Sequence, residues 1–315
     1  MRIPFLRLFL LGLLIIAPGS LMFVRHTFAH HAFMRGVFGG APSVEAQSAS
    51  APRSDGKTTP LLIYKAEGVT TGCAPLIIFS HGAGGSEKGY SYLAEAMAKN
   101  GYTVIAMGHQ ESGMSALGKD MLEDGIRPGV RALVVDPQAE EARLLDLDAT
   151  LKYADAQCKA PFRVLMGHSM GAITTMLEAG AVNIVNVPLP PAGQNRFDAY
   201  VALSAEGPGV VFSDHAWENI HKPVLILTGT RDQAIKGGPE SRQVAWHELP
   251  GDPKGRCQWL GVIDDATHMN FAGIGLGHRL VEPKVVSTIT SFLAGVRQGS
   301  CTLPAAESGM TLQAK

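Results

Sequence analysis

Residues 161–180 read PFRVLMGHSMGAITTMLEAG. Phe162–Met166 is a short apolar run of strand length, and Ala172–Ala179 is typical of a helix. Between them lies Gly-His-Ser-Met-Gly, a G-x-S-x-G motif centred on Ser169. Strand, motif and helix in this order predict a tight turn that exposes the serine hydroxyl. The two glycines lack a Cβ atom, so the turn can close around the serine.

The helix after the motif would direct its N-terminal N–H groups toward Ser169, which favours negative charge at that point. A five-residue motif also occurs by chance. The alternative interpretation is therefore a glycine-rich loop with a solvent-exposed serine, and the remainder of the chain has to distinguish the two.

The composition is that of a folded globular protein. Of 315 residues, 46% are hydrophobic and 17% are charged, which is too few charges for a disordered chain. Without its N-terminal part the chain has the length of one domain of about 250 residues. The formal net charge is −1 and no long basic run exists, so nucleic-acid binding has no electrostatic support.

The N-terminus differs from the rest. Arg2 and Arg7 come before Leu8–Ala17, which is apolar throughout. This pattern predicts a signal peptide within residues 1–30. An uncleaved membrane anchor is the alternative, because Leu8–Val24 is nearly long enough to span a bilayer. A Pro-Gly pair in the middle of that run favours the signal peptide.

Residues 31–58 are interpreted as a flexible linker, since Gly39–Pro60 is rich in Ala, Ser, Pro and Gly and has no periodicity. Residues 59–302 are expected to form the folded domain, and residues 303–315 a C-terminal tail.

Within that domain, strand-like runs alternate with helix-like ones. The predicted strands are Leu61–Lys65, Pro75–Phe79, Tyr102–Met107, Phe162–Met166, Tyr200–Leu203, Pro223–Leu227 and Gln258–Ile263. Such alternation predicts an α/β fold with a mostly parallel, doubly wound sheet and helices on both faces. Loops beyond the carboxyl ends of the strands form the site in such sheets. Met114–Val135 fits neither pattern and is interpreted as a cap or an irregular excursion.

A serine hydroxyl becomes a good nucleophile only beside a base, which in turn needs an orienting acid. Ser169, Asp232 and His268 occur in the order that the motif requires. Asp232 follows one predicted strand and His268 follows the last one, so both would reach the same edge of the sheet. His268 is the predicted base; the alternative is a surface histidine.

Asp232 has a competitor. Glu206 follows the preceding strand and is the alternative acid. Asp264 and Asp265 are too close in sequence to His268 for a comfortable geometry. If Asp232 is not the acid, it is a turn residue that ends a strand.

The oxyanion formed during attack needs donors that already point at it. The predicted donors are the backbone N–H of Met170, directly after the nucleophile, and that of Ala83 in the loop at residues 81–85.

Four other polar residues near these segments have no predicted catalytic role. His168 is expected to face away from the site and to be packed, and His81 is expected to be structural. Tyr90 and Gln110 are candidates for shaping the pocket.

Taken together, these segments resemble the α/β-hydrolases, in particular the dienelactone-hydrolase-like, platelet-activating-factor acetylhydrolase-like and cutinase-like branch. The matching segments are Phe79-Ser80-His81-Gly82, Gly167–Gly171, Pro223–Asp232 and Ala266-Thr267-His268. The resemblance implies that residues 59–302 are the catalytic domain of a serine ester hydrolase that uses no metal and no cofactor.

Two departures from that branch affect the expected substrate. Dienelactone hydrolases proper use a cysteine nucleophile, and this chain has Ser169. Polyester hydrolases carry an aromatic residue after the oxyanion-loop glycine and a tryptophan after the strand before the acid. Ala83 and the segment Ser204–Gly209 stand in those places, which argues against polyester cleavage.

Four cysteines allow three pairings. In the sheet that the resemblance implies, the strands that follow Cys73 and Cys158 are neighbours. Cys257 begins the last strand, and Cys301 follows a helix that returns to the same edge. The resulting prediction is Cys73–Cys158 and Cys257–Cys301, which fits an exported protein.

The leading hypothesis is a periplasmic or secreted ester hydrolase that forms an acyl-enzyme on Ser169. Its expected partner is a small-molecule or lipid-like ester, with a possible membrane tether through the N-terminus. The same triad would serve an acyltransferase, thioesterase or amidase. A non-catalytic binding protein of this fold is the alternative from another class. Met114–Val135 and Val182–Arg196 are expected to roof the pocket.

Overall fold

The computed structural model describes residues 44–188, 196–251 and 257–315. The predicted signal peptide or anchor, residues 1–30, lies outside the described residues, and so does the part of the predicted linker before residue 44. In the described ranges, no helix combines the length and the apolar character needed to cross a membrane.

One sheet organises the described part of the chain. Its strands are β1 (Ala46–Pro52), β2 (Thr58–Tyr64), β3 (Leu76–Ser80), β4 (Thr103–Met107), β5 (Arg163–His168), β6 (Ala199–Leu203), β7 (Val224–Gly229), β8 (Gln258–Ile263) and β9 (Met310–Ala314). Their order across the sheet is β1-β2-β4-β3-β5-β6-β7-β8-β9. The six strands from β4 to β8 in this order are parallel, whereas β1, β2 and β9 are paired antiparallel at the two edges.

Helices cover both faces of the sheet. They are α1 (Ser91–Lys99), α2 (Met114–Asp124), α3 (Ile126–Val135), α4 (Pro137–Gln157), α5 (Met170–Ala179), α6 (Val244–Glu248) and α7 (His278–Gln298). Buried residues of α3 to α6 pack in one core cluster, and those of α1 and α7 pack in a second one. The predicted doubly wound α/β architecture is confirmed.

The sequence of β3 does not alternate between apolar and polar residues, because both faces of the strand are buried. Leu76 and Ile78 point into the first cluster, and Ile77 and Phe79 point into the second. A strand covered by helices on both faces buries every side chain. Each such side chain contributes about 1.5–3 kcal/mol of transfer free energy.

All seven predicted strands are present, but both edges of the sheet were missed. The linker prediction is wrong for Ala46–Pro52, which form β1 and pair with β2. The tail prediction is wrong for Met310–Ala314, which form β9 and pair with β8. Most side chains of the two edge strands are exposed, and the strands are held by backbone hydrogen bonds. Their sequences therefore lack the apolar pattern by which a strand is recognised.

Met114–Val135 is regular rather than irregular. It forms the helix pair α2 and α3, which are separated at Gly125. None of the α2 side chains is fully buried, so this helix lacks the apolar stripe by which a packed helix is recognised.

Both predicted disulfides are present, Cys73–Cys158 with a Cα–Cα distance of 5.6 Å and Cys257–Cys301 with one of 5.1 Å. They lie at the amino ends of the parallel strands. A cavity of about 480 Å³ lies at this same edge, beside Cys73, Leu76 and Cys158, and thus opposite the carboxyl ends.

Candidate active site

Ser169 lies in the turn between β5 and α5 with a φ of 55° and a ψ of −120°. A positive φ is uncommon for a residue with a side chain, and such backbone strain is concentrated at functional sites. A Cβ atom on Gly167 would lie 2.0 Å from the carbonyl oxygen of Gly171. One on Gly171 would lie 2.0 Å from the carbonyl oxygen of Ser80. The turn therefore requires glycine at both positions.

The loops that follow β5, β7 and β8 bring the three predicted residues together. His268 Nε2 is 2.9 Å from Ser169 Oγ, and His268 Nδ1 is 3.0 Å from Asp232 Oδ1. The carboxylate can only accept, so Nδ1 carries the proton and Nε2 accepts from the serine hydroxyl. Asp232 is fully buried, whereas 28% of the His268 side chain is exposed and Ser169 is half-buried. A substrate can reach the serine from solvent.

Hydrogen bonds hold Asp232 in its ionised form. Its Oδ2 accepts from Ser204 Oγ at 2.5 Å and from Thr228 Oγ1 at 2.9 Å, and Arg242 Nε lies 2.8 Å from its Oδ1. Burial alone would raise its pKa. The hydrogen bond with His268 and the charge of Arg242 outweigh burial and hold the pKa below its usual value. The carboxylate is therefore charged at neutral pH.

Glu206 does not contact His268. Its Oε1 accepts from the N–H of Ile235 at 3.0 Å, and its Oε2 lies 3.3 Å from Arg242 Nη1. Burial raises its pKa. The structure thus places the alternative acid where it holds the segment after Asp232, and Asp232 itself contacts His268.

Arg242 is a residue of the site that the sequence analysis missed. Its buried guanidinium donates to the backbone carbonyls of Ser204 at 2.7 Å, Gln233 at 2.7 Å and Asp232 at 3.1 Å. It thereby joins the loops after β6 and β7. It lies ten residues beyond Asp232 in a short 3₁₀ turn, Pro239–Gln243, and no motif points to it.

The peptide between Gly82 and Ala83 has a fixed orientation. The Gly82 carbonyl accepts from His81 Nδ1 at 2.7 Å and from the N–H of Gly85 at 3.0 Å. In a trans peptide the C=O and the N–H point in opposite directions. The Ala83 N–H therefore points away from these donors.

Two backbone donors near Ser169 have no hydrogen-bond acceptor. In the described part of the chain, the N–H groups of Ala83 and Met170 have no acceptor. Met170 begins α5, whose N-terminal end favours negative charge. A Cβ atom on Gly82 would lie only 3.2 Å from the Cβ of Ser169, so the loop at residues 81–85 passes directly beside the serine.

The other polar residues partly depart from expectation. His81 is buried and structural, since its Nε2 accepts from the N–H of His109 at 3.1 Å. His168 is buried as predicted but does not face away: its ring centroid is 4.7 Å from that of His268. Tyr90 is also buried rather than pocket-lining, and Gln110 binds the Thr58 carbonyl.

His168 contacts His268 because side chains alternate along β5. Its side chain leaves the strand on the same face as Val164 and Met166, where α1 and α7 pack. The segment His268–Ala272, a short 3₁₀ turn after β8, lies on that face, with Phe271 buried in the second core cluster. Sequence position alone does not reveal this neighbour.

A second Ser-His-Asp array lies next to the loop at residues 81–85. Ser80 Oγ is 2.9 Å from His109 Nε2, and His109 Nδ1 is 2.8 Å from Asp146 Oδ2. Arg143 Nη1 donates both to Ser80 Oγ at 3.1 Å and to the His81 carbonyl at 2.8 Å. Ser80 is fully buried, so no substrate reaches it. The array supports the loop from below.

The ionisation of this array follows from its burial. Burial raises the pKa of Asp146 to about 6. Burial and the charge of Arg143 hold the pKa of His109 well below its usual value, so this ring is neutral. Among the described residues, no group of three or more His, Cys, Asp or Glu side chains is placed to hold a metal ion.

One of the two segments expected to roof the pocket lies beside the site. Leu117 of α2 covers Gly84, whose N–H donates to the carbonyl of Ser112 at 2.8 Å. The other segment, residues 182–196, is described only in part, and its Ile184 binds the backbone of Val211. Exposed apolar side chains occur at the start of α2 and in the segment that follows His268, namely Met114, Met269, Ile274 and Leu276.

The sequence matches a family model described as serine aminopeptidase, S33, over residues 73–182. The matched segment includes the loop at residues 81–85 and Ser169 and stops before Asp232 and His268. No curated protein matches the sequence significantly.

Solved structures resemble most of the chain. A protein named as a dienelactone hydrolase from Klebsiella pneumoniae matches 80% of this chain and 99% of its own, at 17% identity and a TM-score of 0.57. A cold-adapted esterase from an Arctic intertidal metagenomic library matches 80% and 95%, at 17% identity and 0.54. An esterase from Pyrococcus furiosus matches 80% and 92%, at 17% identity and 0.52. At these identities the likeness shows a common fold.

Proposed function

We propose that this chain, which has the α/β-hydrolase fold, cleaves carboxylic esters by nucleophilic catalysis at Ser169. The observation that carries the proposal is the position of His268, which lies within hydrogen-bond distance of both Ser169 and Asp232. The family match and the structural neighbours support a hydrolase, and ester hydrolase activity in general. The triad roles and the acyl-enzyme are the finer part of the proposal.

In the first half-reaction, His268 Nε2 takes the proton of Ser169 as Oγ bonds to the ester carbonyl carbon. The ring becomes positively charged, and the Asp232 carboxylate stabilises that charge. The proton then passes to the leaving alkoxide as the C–O bond breaks, which leaves an acyl group on Ser169. In the second half-reaction, water attacks this acyl group by the same route, and the acid is released.

The tetrahedral intermediate carries a negative oxygen beside Ser169. We assign its stabilisation to the two free N–H groups of Ala83 and Met170. The Ala83 donor is fixed before substrate arrives, because the carbonyl of its peptide is already bound by His81 and Gly85. Fixed donors need not reorganise when charge develops, and this is why they accelerate the reaction.

The substrate is proposed to be a small-molecule or lipid-like ester. Two exposed apolar side chains lie in the segment after His268, namely Met269, which is 46% exposed, and Ile274, which is 51% exposed. A third, Met114, lies at the start of α2. Exposed apolar groups close to His268 in the chain fit an acyl chain better than a charged substrate. The same acyl-enzyme would also permit transfer to an alcohol or cleavage of a thioester.

Amide cleavage is the second candidate, and the match to a serine aminopeptidase model favours it. The two activities share Ser169 and differ in the leaving group, which must be protonated more fully when it is an amine. Parallel assays with p-nitrophenyl esters and aminoacyl p-nitroanilides separate them by their ratio of kcat/KM.

We further propose that the protein is exported to the periplasm or secreted. Residues 1–30 would act either as a cleaved signal peptide or as a retained membrane tether. The two disulfides support an oxidising compartment. Fractionation of cells that express the full chain, with N-terminal sequencing of the product, distinguishes a cleaved signal peptide from a retained anchor.

The test of the function is labelling with a fluorophosphonate probe and mass mapping of the adduct. The wild type should be labelled at Ser169, and Ser169→Ala should lose at least about 10³-fold in kcat on p-nitrophenyl butyrate. Ser86→Ala is the matched control, because Ser86 is an exposed serine in the segment between β3 and α1, outside the turn that carries Ser169. Full esterase activity in Ser169→Ala, or labelling that maps to Ser86, would overturn the assignment.

A further inference from the structure

A chain of three hydrogen bonds, two of them buried and one partly buried, connects the segments around Ser169. The Gly82 N–H donates to Tyr90 Oη at 3.2 Å, Tyr90 Oη is 2.7 Å from His168 Nδ1, and His168 Nε2 is 3.0 Å from the carbonyl oxygen of His268. Tyr90 and His168 are 9% and 3% exposed. Because both side chains are buried, neither is assigned a contact with the substrate.

The direction of each of these three hydrogen bonds follows from the last acceptor, the carbonyl oxygen of His268. The His268 carbonyl can only accept, so His168 Nε2 carries a proton. Burial and the neighbouring His268 hold the pKa of His168 well below its usual value, so the ring is neutral and Nδ1 is an acceptor. Tyr90 must then donate its hydroxyl proton to Nδ1, and its oxygen accepts from Gly82. Each donor has one acceptor, and hydrogen bonds in such a series strengthen one another.

The chain joins three segments that have to keep one geometry. Gly82 precedes Ala83, whose N–H is a proposed oxyanion donor. His168 precedes Ser169, and the His268 carbonyl belongs to the residue that carries the base. Gly82 follows β3, His168 ends β5 and His268 follows β8. The three hydrogen bonds therefore link the loop at residues 81–85 to the segment that carries His268.

We propose that Tyr90 and His168 are positioning residues that fix the Ala83 N–H and the His268 ring relative to Ser169. This inference rests on the proposed serine chemistry. The residues act through Gly82 and through the His268 backbone and not on the substrate. Their removal should therefore weaken the transition state and leave substrate binding nearly unchanged.

Tyr90→Phe is the sharpest test, because it removes one oxygen and leaves the ring that packs on Phe79 at 4.6 Å between centroids. We expect kcat on p-nitrophenyl butyrate to fall by about 10- to 100-fold, KM to stay within about twofold, and a boronic acid inhibitor to lose affinity in proportion to kcat. Tyr200→Phe is the matched control. It removes another buried hydroxyl, whose contact to the Glu178 carbonyl is 3.5 Å long.

The partner variant His168→Gln can donate its amide N–H to the His268 carbonyl and removes the ring Nδ1 that accepts from Tyr90. It is the variant to use if Tyr90→Phe does not fold. The Tyr90→Phe/His168→Gln double variant should lose little more than the worse single one, because both act through one chain.

The outcomes separate this inference from the proposed function. A wild type that is not labelled by fluorophosphonate overturns both. A labelled wild type, together with a Tyr90→Phe variant that reacts at the wild-type rate, overturns the inference alone. So does a loss of kcat in Tyr90→Phe that Tyr200→Phe reproduces, since that loss would come from general destabilisation.

Discussion

The choice between two buried carboxylates gives the most discriminating experiment on the triad. Asp232→Asn removes the charge and keeps the shape. In the structure, Asp232 Oδ2 is held by the hydroxyls of Ser204 and Thr228, which can rotate to accept from an amide. Its Oδ1 can remain an acceptor for His268 and Arg242. The variant should therefore fold, and its defect should be electrostatic.

The magnitude follows from the distance between the acid and the base. In the transition state the imidazole of His268 is charged and lies 3.0 Å from Asp232 Oδ1. Two unit charges at that separation interact by about 5 kcal/mol at an effective dielectric constant of about 20. Because an asparagine dipole retains part of this energy, we expect a loss of about 10³- to 10⁴-fold in kcat. Glu206→Gln should lose less than about tenfold, since Glu206 contacts backbone N–H groups and Arg242 instead of the base.

The assay compares kcat/KM for a p-nitrophenyl ester and the rate of fluorophosphonate labelling in the two variants, with thermal unfolding as the check on folding. The reasoning fails if folded Asp232→Asn stays within tenfold of wild type. It also fails if Glu206→Gln loses as much as Asp232→Asn, which would make Glu206 the acid.

Two further predictions concern stability. Burial raises the pKa of Glu140 from 4.5 to about 7, so the folded state binds this proton more tightly than the unfolded state and stability falls as pH rises between those values. Glu140→Gln should thus gain about 3 kcal/mol relative to wild type between pH 4 and pH 8 in urea unfolding, and a constant difference would contradict this. Replacing Cys73 and Cys158 together by alanine opens a loop with a sequence separation of 85 and should cost about 4 kcal/mol of unfolding free energy. Unchanged urea midpoints in non-reducing buffer would contradict that loss.

The sequence predicted the central part of the fold because its signals are local. β3 and β5 are recognisable from apolar runs, and the G-x-S-x-G motif at Ser169 needs only its own neighbours to form. Strand order in this kind of sheet then places Asp232 and His268 at one edge, and the geometry agrees. The edge strand Ala46–Pro52 was missed because backbone pairing with β2 leaves almost no trace in the side chains.

What the sequence by itself determined is therefore the central sheet, the tight serine turn and the placement of Ser169 and His268 at one edge of that sheet, and the family resemblance added both disulfide pairs. Only the tertiary structure decided which carboxylate contacts His268, since Asp232 and Glu206 follow adjacent strands and both lie near Arg242. It also decided that Tyr90 contacts His168, 78 residues away along the chain. Such contacts depend on how distant loops cross at the carboxyl edge of the sheet, and no periodicity or motif in the chain encodes that crossing.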